Sequence, residues 1–353
     1  MSLPQPISWV TECLQSGTVI PAHPLALTAE RTFDERSQRA LTRYYHAAGV
    51  GGVAVGVHTT QFAIRSSEHN LLHPVLELAA ETVREEDERT GRSTILVAGI
   101  LGNTQQAVAE AKLARDLGYH LGLLSLAALP DATDEELIAH ARAVATEIPL
   151  FGFYLQPSVG GRLLSRSFWR EFCAIRNVMA IKVAPFNRYA TLDVLRGVVE
   201  SGRAEEIALY TGNDDTIIYD LLTEYQSPEG ISLNFVGGLL GHWAVWTKRA
   251  VELLERVREW KSGEVIPREA LRTALHVTEM NSAIFDAKHN YAGCIPGIQY
   301  VLYRQGLIES INTLDRSELL SPGQREEIER VIAAYPELTD SDFIQSHLEE
   351  WRG

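Results

Sequence analysis

Short apolar runs alternate with longer amphipathic stretches along most of this chain. Runs that favour buried strands occupy residues 18–20, 52–57, 94–99, 121–126, 150–154, 178–183, 207–210 and 231–235. Helical periodicity is found at residues 34–48, 67–87, 165–175, 191–200, 214–224 and 242–260, and in stretches that begin near residues 103 and 133. Eight strands, each followed by a helix, predict a (β/α)₈ TIM barrel, an α/β fold.

Start signals support several of these helices. Thr133 and Glu136 form a capping-box pattern, and Asn103 or Thr104 can cap the preceding helix. Pro74 lies inside the stretch 67–87, so we expect that helix to start late or to kink.

The chain divides after the predicted barrel. We assign residues 1–260 to the barrel that carries the active site and residues 261–353 to a C-terminal helical region packed on it. A doubly wound open sheet is the competing fold, but no Gly-x-Gly-x-x-Gly motif follows the first strand.

Composition narrows the class of partner. The 353 residues carry a net charge of −14, which argues against binding to nucleic acid and to anionic membranes. Three widely spaced cysteines without a Cys-x-x-Cys pair favour a reducing, cytoplasmic location. We see no signal peptide and no apolar run long enough to span a membrane.

Lys182 is the residue that most narrows the chemistry. It lies in the apolar run 178–183 and shares a strand face with the small residues Ala180 and Ala184. Burying an ammonium is costly, so the pKa of this amine is expected to fall. A neutral amine is a nucleophile for a carbonyl carbon and can form a Schiff base. The alternative is a lysine that extends to the strand end or pairs with a buried acid.

Active sites of such barrels lie at the carboxyl ends of the strands, where several other polar residues fall. Tyr154 shares its strand face with Gly152, and we interpret it as an inward tyrosine that can shuttle protons. It could equally be a core aromatic residue with a satisfied hydroxyl.

Taken together, these residues resemble the dihydrodipicolinate synthase / N-acetylneuraminate lyase family of Schiff-base barrels. The resemblance rests on the order of five segments, in which Lys182 comes 28 positions after Tyr154: Gly56-Val-His-Thr-Thr60, Tyr154-Leu-Gln-Pro-Ser158, Ile181-Lys182, Leu209-Tyr-Thr-Gly-Asn-Asp214 and Gly230-Ile-Ser232. They are similar to the family's Gly-Thr-Thr, Tyr-Asn-x-Pro, Ile-Lys, Ser-Gly-Asp-Asp and Gly-(Val/Ile)-Ile-Ser segments. The match runs in order from about Gly17 to Gly241.

The resemblance implies a site and a reaction. Lys182 would condense with pyruvate or another 2-keto acid, and Tyr154 and Thr59 would complete the catalytic group. Thr60, His58, Gly212 and Ile231 would bind substrate. The second substrate would be an aldehyde or a sugar acid, with no cofactor and no metal, and the protein would form a tetramer or dimer.

Departures from the family pattern point to an altered substrate. Val159 replaces an arginine that holds a second carboxylate in the synthase, so we do not expect a true dihydrodipicolinate synthase. Ser125 stands where a tyrosine often ends the fourth strand. His58 replaces a glycine, and Gln61 and Phe62 replace Gly-Glu.

Three alternatives stay open. A keto-deoxy sugar acid dehydratase would use the same kind of enamine to expel hydroxide. A non-catalytic ligand-binding homologue would explain the departures. A metal-assisted barrel enzyme would need His23, His58 and His242 to converge.

Overall fold

The computed structural model describes residues 3–353. Its strands are β1 (Val19–Pro21), β2 (Gly52–Val55), β3 (Ile95–Ile100), β4 (Leu121–Leu124), β5 (Leu150–Leu155), β6 (Val178–Ala184), β7 (Ala208–Thr211), β8 (Glu224–Gln226) and β9 (Ser232–Leu240). Its helices are α1 (Ser8–Ser16), α2 (Glu35–Ala48), α3 (Leu72–Thr90), α4 (Thr104–Asp116), α5 (Asp134–Ala145), α6 (Arg166–Cys173), α7 (Arg188–Glu200), α8 (Ile217–Leu222), α9 (Thr247–Ser262), α10 (Arg268–Ile284), α11 (Cys294–Arg304), α12 (Gln324–Ala334) and α13 (Ser341–Arg352).

The fold is a (β/α)₈ barrel with C-terminal helices, which confirms the predicted class. The barrel strands are β1 to β7 and β9, while β8 forms a short antiparallel hairpin with β9. The chain clusters into two compact units, described separately below.

The first unit consists of residues 3–18 and Ile95–Leu239. Six of its strands are parallel and hydrogen-bonded in the order β9-β7-β6-β5-β4-β3. Register fixes the two faces: Phe153 pairs with Lys182, which pairs with Tyr210, which pairs with Gly237. The opposite face packs under helices, because a Cβ on Gly152 would lie 2.7 Å from the Phe172 ring of α6.

The second unit consists of Val19–Thr94 and Leu240–Gly353. Its strands β1 and β2 run parallel beside each other, joined by a bridge between Ala22 and Ala54. Helix α13 packs on α2, and α10, α11 and α12 pack together. No helix within residues 3–353 combines the length and the apolar character needed to cross a lipid bilayer.

Local signals placed several helix starts correctly. Thr133 and Glu136 form the predicted capping box of α5, and Asn103 caps α4. Helix α3 begins at Leu72, so the helix predicted from residue 67 starts late and Pro74 lies in its first turn, where the missing N–H costs nothing.

Candidate active site

Lys182 occupies the centre of β6 and is 8% exposed. Its Nζ lies 4.5 Å from the centroid of the Phe153 ring, over the ring face. Phe153 is the register partner of Lys182 on β5, so the two side chains leave the sheet on the same side. The face of the Phe153 ring therefore lies against the buried amine.

Gly212 makes room for the lysine side chain. A Cβ at this position would stand 2.7 Å from Lys182 Cε, 3.0 Å from its Cγ and 2.7 Å from the Ala184 Cβ. Gly212 therefore lies against the methylene groups of Lys182, while its predicted role in binding substrate stays a prediction.

Aromatic side chains form the floor beneath Lys182 on the same face. The Phe151 and Tyr210 rings meet edge to face, with centroids 5.4 Å apart. The Tyr210 hydroxyl donates to the Leu14 carbonyl of α1 at 3.0 Å, which satisfies its one polar group. The floor is therefore apolar toward the lysine.

Tyr154 lies on the other face of the sheet, so its predicted inward direction is wrong. It pairs with Val183, its ring packs 5.4 Å from the Trp169 ring of α6, and its hydroxyl accepts the Leu164 N–H at 3.3 Å. A register shift between Leu150 and Phe151 sets this alternation. The prediction that Tyr154 shares a strand face with Gly152 is correct, but that face points to the helices.

Ile231 is the second site residue that the structure displaces. It precedes β9 in the hairpin turn, where its carbonyl accepts the Ser227 N–H at 2.8 Å, and it is 36% exposed. The residue of β9 level with Lys182 is Gly237, because β9 extends to Leu240. The predicted strand 231–235 was too short, which assigned a site role to the wrong end.

A buried polar network holds the loops that follow β6 and β7. The fully buried Asp220 carboxylate accepts from Thr211 Oγ1 at 2.7 Å and from Asn213 Nδ2 at 2.9 Å, and it pairs with Arg188. Asn213 Oδ1 accepts the Phe186 N–H at 3.0 Å. This network was not predicted from the sequence, although the Thr-Gly-Asn-Asp segment singled out there contributes two of its residues.

The turn after β2 belongs to the second unit and is a single 3₁₀ turn, His58–Thr60. Thr59 and Thr60 are buried, and their hydroxyls donate at 2.7 Å to the carbonyls of Ala22 and His23. The His58 ring meets the Phe62 ring edge-on, with centroids 5.9 Å apart.

The remaining histidines proposed as metal ligands are buried. Burial lowers the pKa of His23 to about 4, and both of its ring nitrogens contact protein groups, Nδ1 the Pro24 carbonyl at 2.8 Å and Nε2 Thr42 Oγ1 at 2.9 Å. Burial lowers the pKa of His242 to about 3. Within residues 3–353, no three His, Cys, Asp or Glu side chains are grouped so as to hold a metal ion.

No family model matches the chain. Over 188 residues it is 26% identical to a 4-hydroxy-tetrahydrodipicolinate synthase of Nitratidesulfovibrio vulgaris, a match that covers 52% of this chain and 60% of that protein. The chain thus spans less than two thirds of the length of this curated relative.

Solved structures match over nearly the whole chain. Dihydrodipicolinate synthase from Oceanobacillus iheyensis superposes with a TM-score of 0.74 at 18% identity, covering 93% of this chain and 99% of its own. N-acetylneuraminate lyase from Fusobacterium nucleatum gives 0.70 at 16% identity, with coverage of 92% and 100%. Dihydrodipicolinate synthase from Acinetobacter baumannii, complexed with pyruvate, gives 0.72 at 19% identity, with coverage of 90% and 98%.

At these identities the solved structures establish a shared fold. The curated match and the ordered motifs add a sequence relationship to it. The resemblance found in the sequence is confirmed: the chain is similar in sequence to one 4-hydroxy-tetrahydrodipicolinate synthase and shares the fold of dihydrodipicolinate synthase and N-acetylneuraminate lyase.

Proposed function

We propose that this chain is a class I lyase or aldolase in which Lys182 forms a Schiff base with pyruvate or another 2-keto acid. The observation that carries the proposal is the buried Lys182, held between the Phe153 ring face and Gly212 on the inward side of β6. A related barrel has been solved with pyruvate bound, which supports a keto acid as the substrate class.

The chemistry follows from the amine. Neutral Nζ attacks the C2 carbonyl carbon to give a carbinolamine, which loses water to form an iminium. Electrons from a neighbouring C–C bond then flow into the iminium, releasing an aldehyde and leaving an enamine, and the reverse order makes the bond. In the dehydratase alternative, the iminium of an intact keto-deoxy sugar acid loses a proton from C3 to form an enamine, and this enamine expels hydroxide from C4.

Proton transfer is where this chain departs from the family. The phenol of Tyr154 accepts a backbone N–H on the helix-facing side of β5, and the ring beside Lys182 is Phe153. Water, or the substrate's own carboxylate, would therefore carry the protons to and from the carbinolamine. The resemblance implies a carboxylate-binding role for the turn His58–Thr60, and this role stays a prediction.

A ligand-binding homologue is the second candidate, and the same observation favours it. With Phe153 beside the lysine and Tyr154 turned away, an imine could form without rapid turnover. Such a protein would bind a keto acid covalently and reversibly, and it would release no aldehyde.

The test is to trap the imine with borohydride in the presence of pyruvate and read the intact mass. One reduced adduct is expected on the natural protein and none on Lys182→Ala. Lys248→Ala is the matched control, because Lys248 also lies over a phenyl ring, that of Phe343, at 5.8 Å. No adduct with pyruvate or longer keto acids would refute the proposal. An adduct without aldehyde release across a substrate panel would select the ligand-binding homologue.

A further inference from the structure

The side chain of Lys182 meets the backbone of the neighbouring strand at Gly212, directly after β7. A Cβ at Gly212 would lie 2.7 Å from Lys182 Cε and 3.0 Å from its Cγ, so there is no room for one further carbon atom between them. The Gly212 N–H donates to the Val183 carbonyl at 2.8 Å, which joins this turn to the strand that carries the lysine. The position of the Gly212 backbone therefore decides where the methylene groups of Lys182 can lie.

The two neighbours of Gly212 are both held by one oxygen atom. Thr211 Oγ1 donates to Asp220 Oδ2 at 2.7 Å, and Asn213 Nδ2 donates to the same oxygen at 2.9 Å. The Asn213 N–H in turn donates to Thr211 Oγ1 at 3.2 Å. Side chains on both sides of Gly212 are thus fixed to a single carboxylate, and the turn cannot shift without breaking these hydrogen bonds.

Asp220 is suited to fix this turn because it is buried and paired with a cation. Its side chain is fully buried on α8, and its Oδ1 accepts a hydrogen bond from the guanidinium of Arg188, the first residue of α7. Hydrogen bonds to a charged acceptor are shorter and stronger than those between neutral groups. A buried carboxylate that lost its donors would be strongly disfavoured, so the donors around Asp220 are held in one arrangement.

The same network reaches the loop that follows the strand of the lysine. Asn213 Oδ1 accepts the Phe186 N–H at 3.0 Å, and Asn213 Nδ2 also donates to Thr191 Oγ1 of α7 at 3.3 Å. Phe186 has a φ of 49°, in the left-handed region that residues other than glycine seldom adopt. Asn213 therefore links the turn after β7 to the loop after β6, and the ends of both strands depend on the carboxylate of Asp220.

We propose that Asp220 is a positioning residue for the nucleophile: by holding Thr211 and Asn213 it keeps Gly212 against Lys182 and so sets the direction from which the amine attacks a carbonyl carbon. The proposal deepens the proposed function and rests on it for the reaction. Attack on a carbonyl requires the two atoms to approach along a defined line, so a small displacement of the amine lowers the rate more than it lowers binding.

The experiment compares the natural protein with Asp220→Asn and Thr211→Val, each shown to be folded by circular dichroism and thermal unfolding. Asparagine keeps the shape of Asp220 but loses its charge, and valine keeps the shape of threonine but loses the donor. Borohydride trapping at a series of pyruvate concentrations separates the maximum rate of adduct formation from the half-saturating concentration. The maximum rate should fall roughly tenfold or more in Asp220→Asn and by a smaller factor in Thr211→Val, while half-saturation should change less than about threefold.

A second readout needs no keto acid. Brief labelling with acetic anhydride, read by peptide mass spectrometry, compares Lys182 with the exposed Lys112 of α4 in the same molecule. In both variants the ratio of Lys182 to Lys112 labelling should rise roughly threefold or more, because the released turn opens locally and admits the reagent. Positioning thus predicts labelling that rises while trapping falls, which a change in stability alone would not produce in the folded protein.

Glu110→Gln is the matched control, and both of its readouts should equal those of the natural protein. Glu110 is another buried carboxylate of the first unit, and it accepts the Leu101 N–H at 3.1 Å and Gln106 Nε2 at 2.9 Å. An unchanged maximum rate or labelling ratio in both test variants, a change confined to half-saturation, or equal changes in Glu110→Gln would overturn the role of Asp220. If the natural protein forms no adduct, the proposed function fails, and the labelling ratio still tests the positioning of Lys182.

Discussion

Lys182 in the first unit and Asp340 in the second are both buried ionisable side chains, but their surroundings differ in kind. Lys182, 8% exposed, lies over the Phe153 ring and against Gly212. Asp340, 1% exposed, is held by hydrogen bonds from separate elements. Burial alone therefore does not distinguish a reactive group from a structural one.

The Asp340 carboxylate ties four parts of the second unit together. Its Oδ2 accepts the Tyr44 hydroxyl at 2.6 Å and the Lys248 N–H at 3.1 Å, and its Oδ1 accepts Gln305 Nε2 at 3.0 Å. The Tyr44 hydroxyl in turn accepts the Thr247 N–H at 2.7 Å. The carboxylate thus caps the first turn of α9, where a negative charge is favourable.

The surroundings of these two side chains indicate different roles. A carboxylate with matched donors on both oxygens is fixed in place and stabilises packing. The amine of Lys182 lies against a ring face and close to Gly212, which suits the Schiff-base role proposed for it. Substitutions at Asp340 should therefore act by removing hydrogen bonds, whereas substitutions around Lys182 should act by changing steric fit.

Asp340→Ala should have the largest effect on stability. It leaves the Tyr44 hydroxyl, the Lys248 N–H and the Gln305 amide without their acceptor, at a cost of about 3 kcal/mol in the free energy of unfolding. Asp340→Asn is the matched control. Its amide can donate to Gln305 Oε1, which has no hydrogen-bond partner among residues 3–353, so the loss should stay within about 1 kcal/mol. Urea unfolding measures both, and equal losses would contradict this account.

We also expect Asp340 to make the stability of the natural protein depend on pH, in comparison with Asp340→Asn. Burial raises the pKa of the Asp340 carboxyl, against the lowering effect of the Tyr44 hydrogen bond. The folded protein therefore holds this proton more tightly than the unfolded chain does. The stabilisation is complete below the unfolded pKa and is lost as pH rises through the folded value. Asp340→Asn should remove this part of the pH profile of unfolding, and an unchanged profile would exclude the raised pKa.

Gly212→Ala should produce an intermediate effect, concentrated on the lysine. The added methyl group would overlap Lys182 Cε and the Ala184 Cβ, which we expect to cost about 1–3 kcal/mol of stability. The rate of borohydride-trapped adduct formation should fall further than stability alone explains, because the amine is displaced. Gly263→Ala is the control, since its nearest atoms lie 3.5 Å from the new Cβ. Comparable adduct rates in both variants would show that Gly212 does not position the lysine.

Tyr154→Phe should have the smallest effect. The phenol accepts a single long hydrogen bond, 3.3 Å, on the helix-facing side, so about 1 kcal/mol of stability is the expected loss. The adduct rate should change by less than a factor of about three, because the phenol is not on the face of the amine. A loss of a hundredfold would show that Tyr154 reaches the imine and would restore the shuttle predicted from the resemblance.

Periodicity was enough to predict the barrel because strands and helices of this length repeat regularly. It also identified Lys182, since a lysine among apolar neighbours stands out in any single strand. It failed for the direction of Tyr154 and for the extent of the last barrel strand, for one reason. The face that a side chain occupies and the residues it lies level with depend on the register between strands. The register shift after Leu150 and the extension of β9 to Leu240 leave no local signal in the sequence.

The sequence by itself determined the fold class, the position of the helix caps and the one lysine worth testing, because each depends on neighbouring residues along the chain. Tertiary structure alone decided that Phe153 rather than Tyr154 faces that lysine, that Gly212 fits against its methylene groups and that Arg188 pairs with Asp220. These depend on pairings between residues far apart in sequence, which are set by strand register and packing.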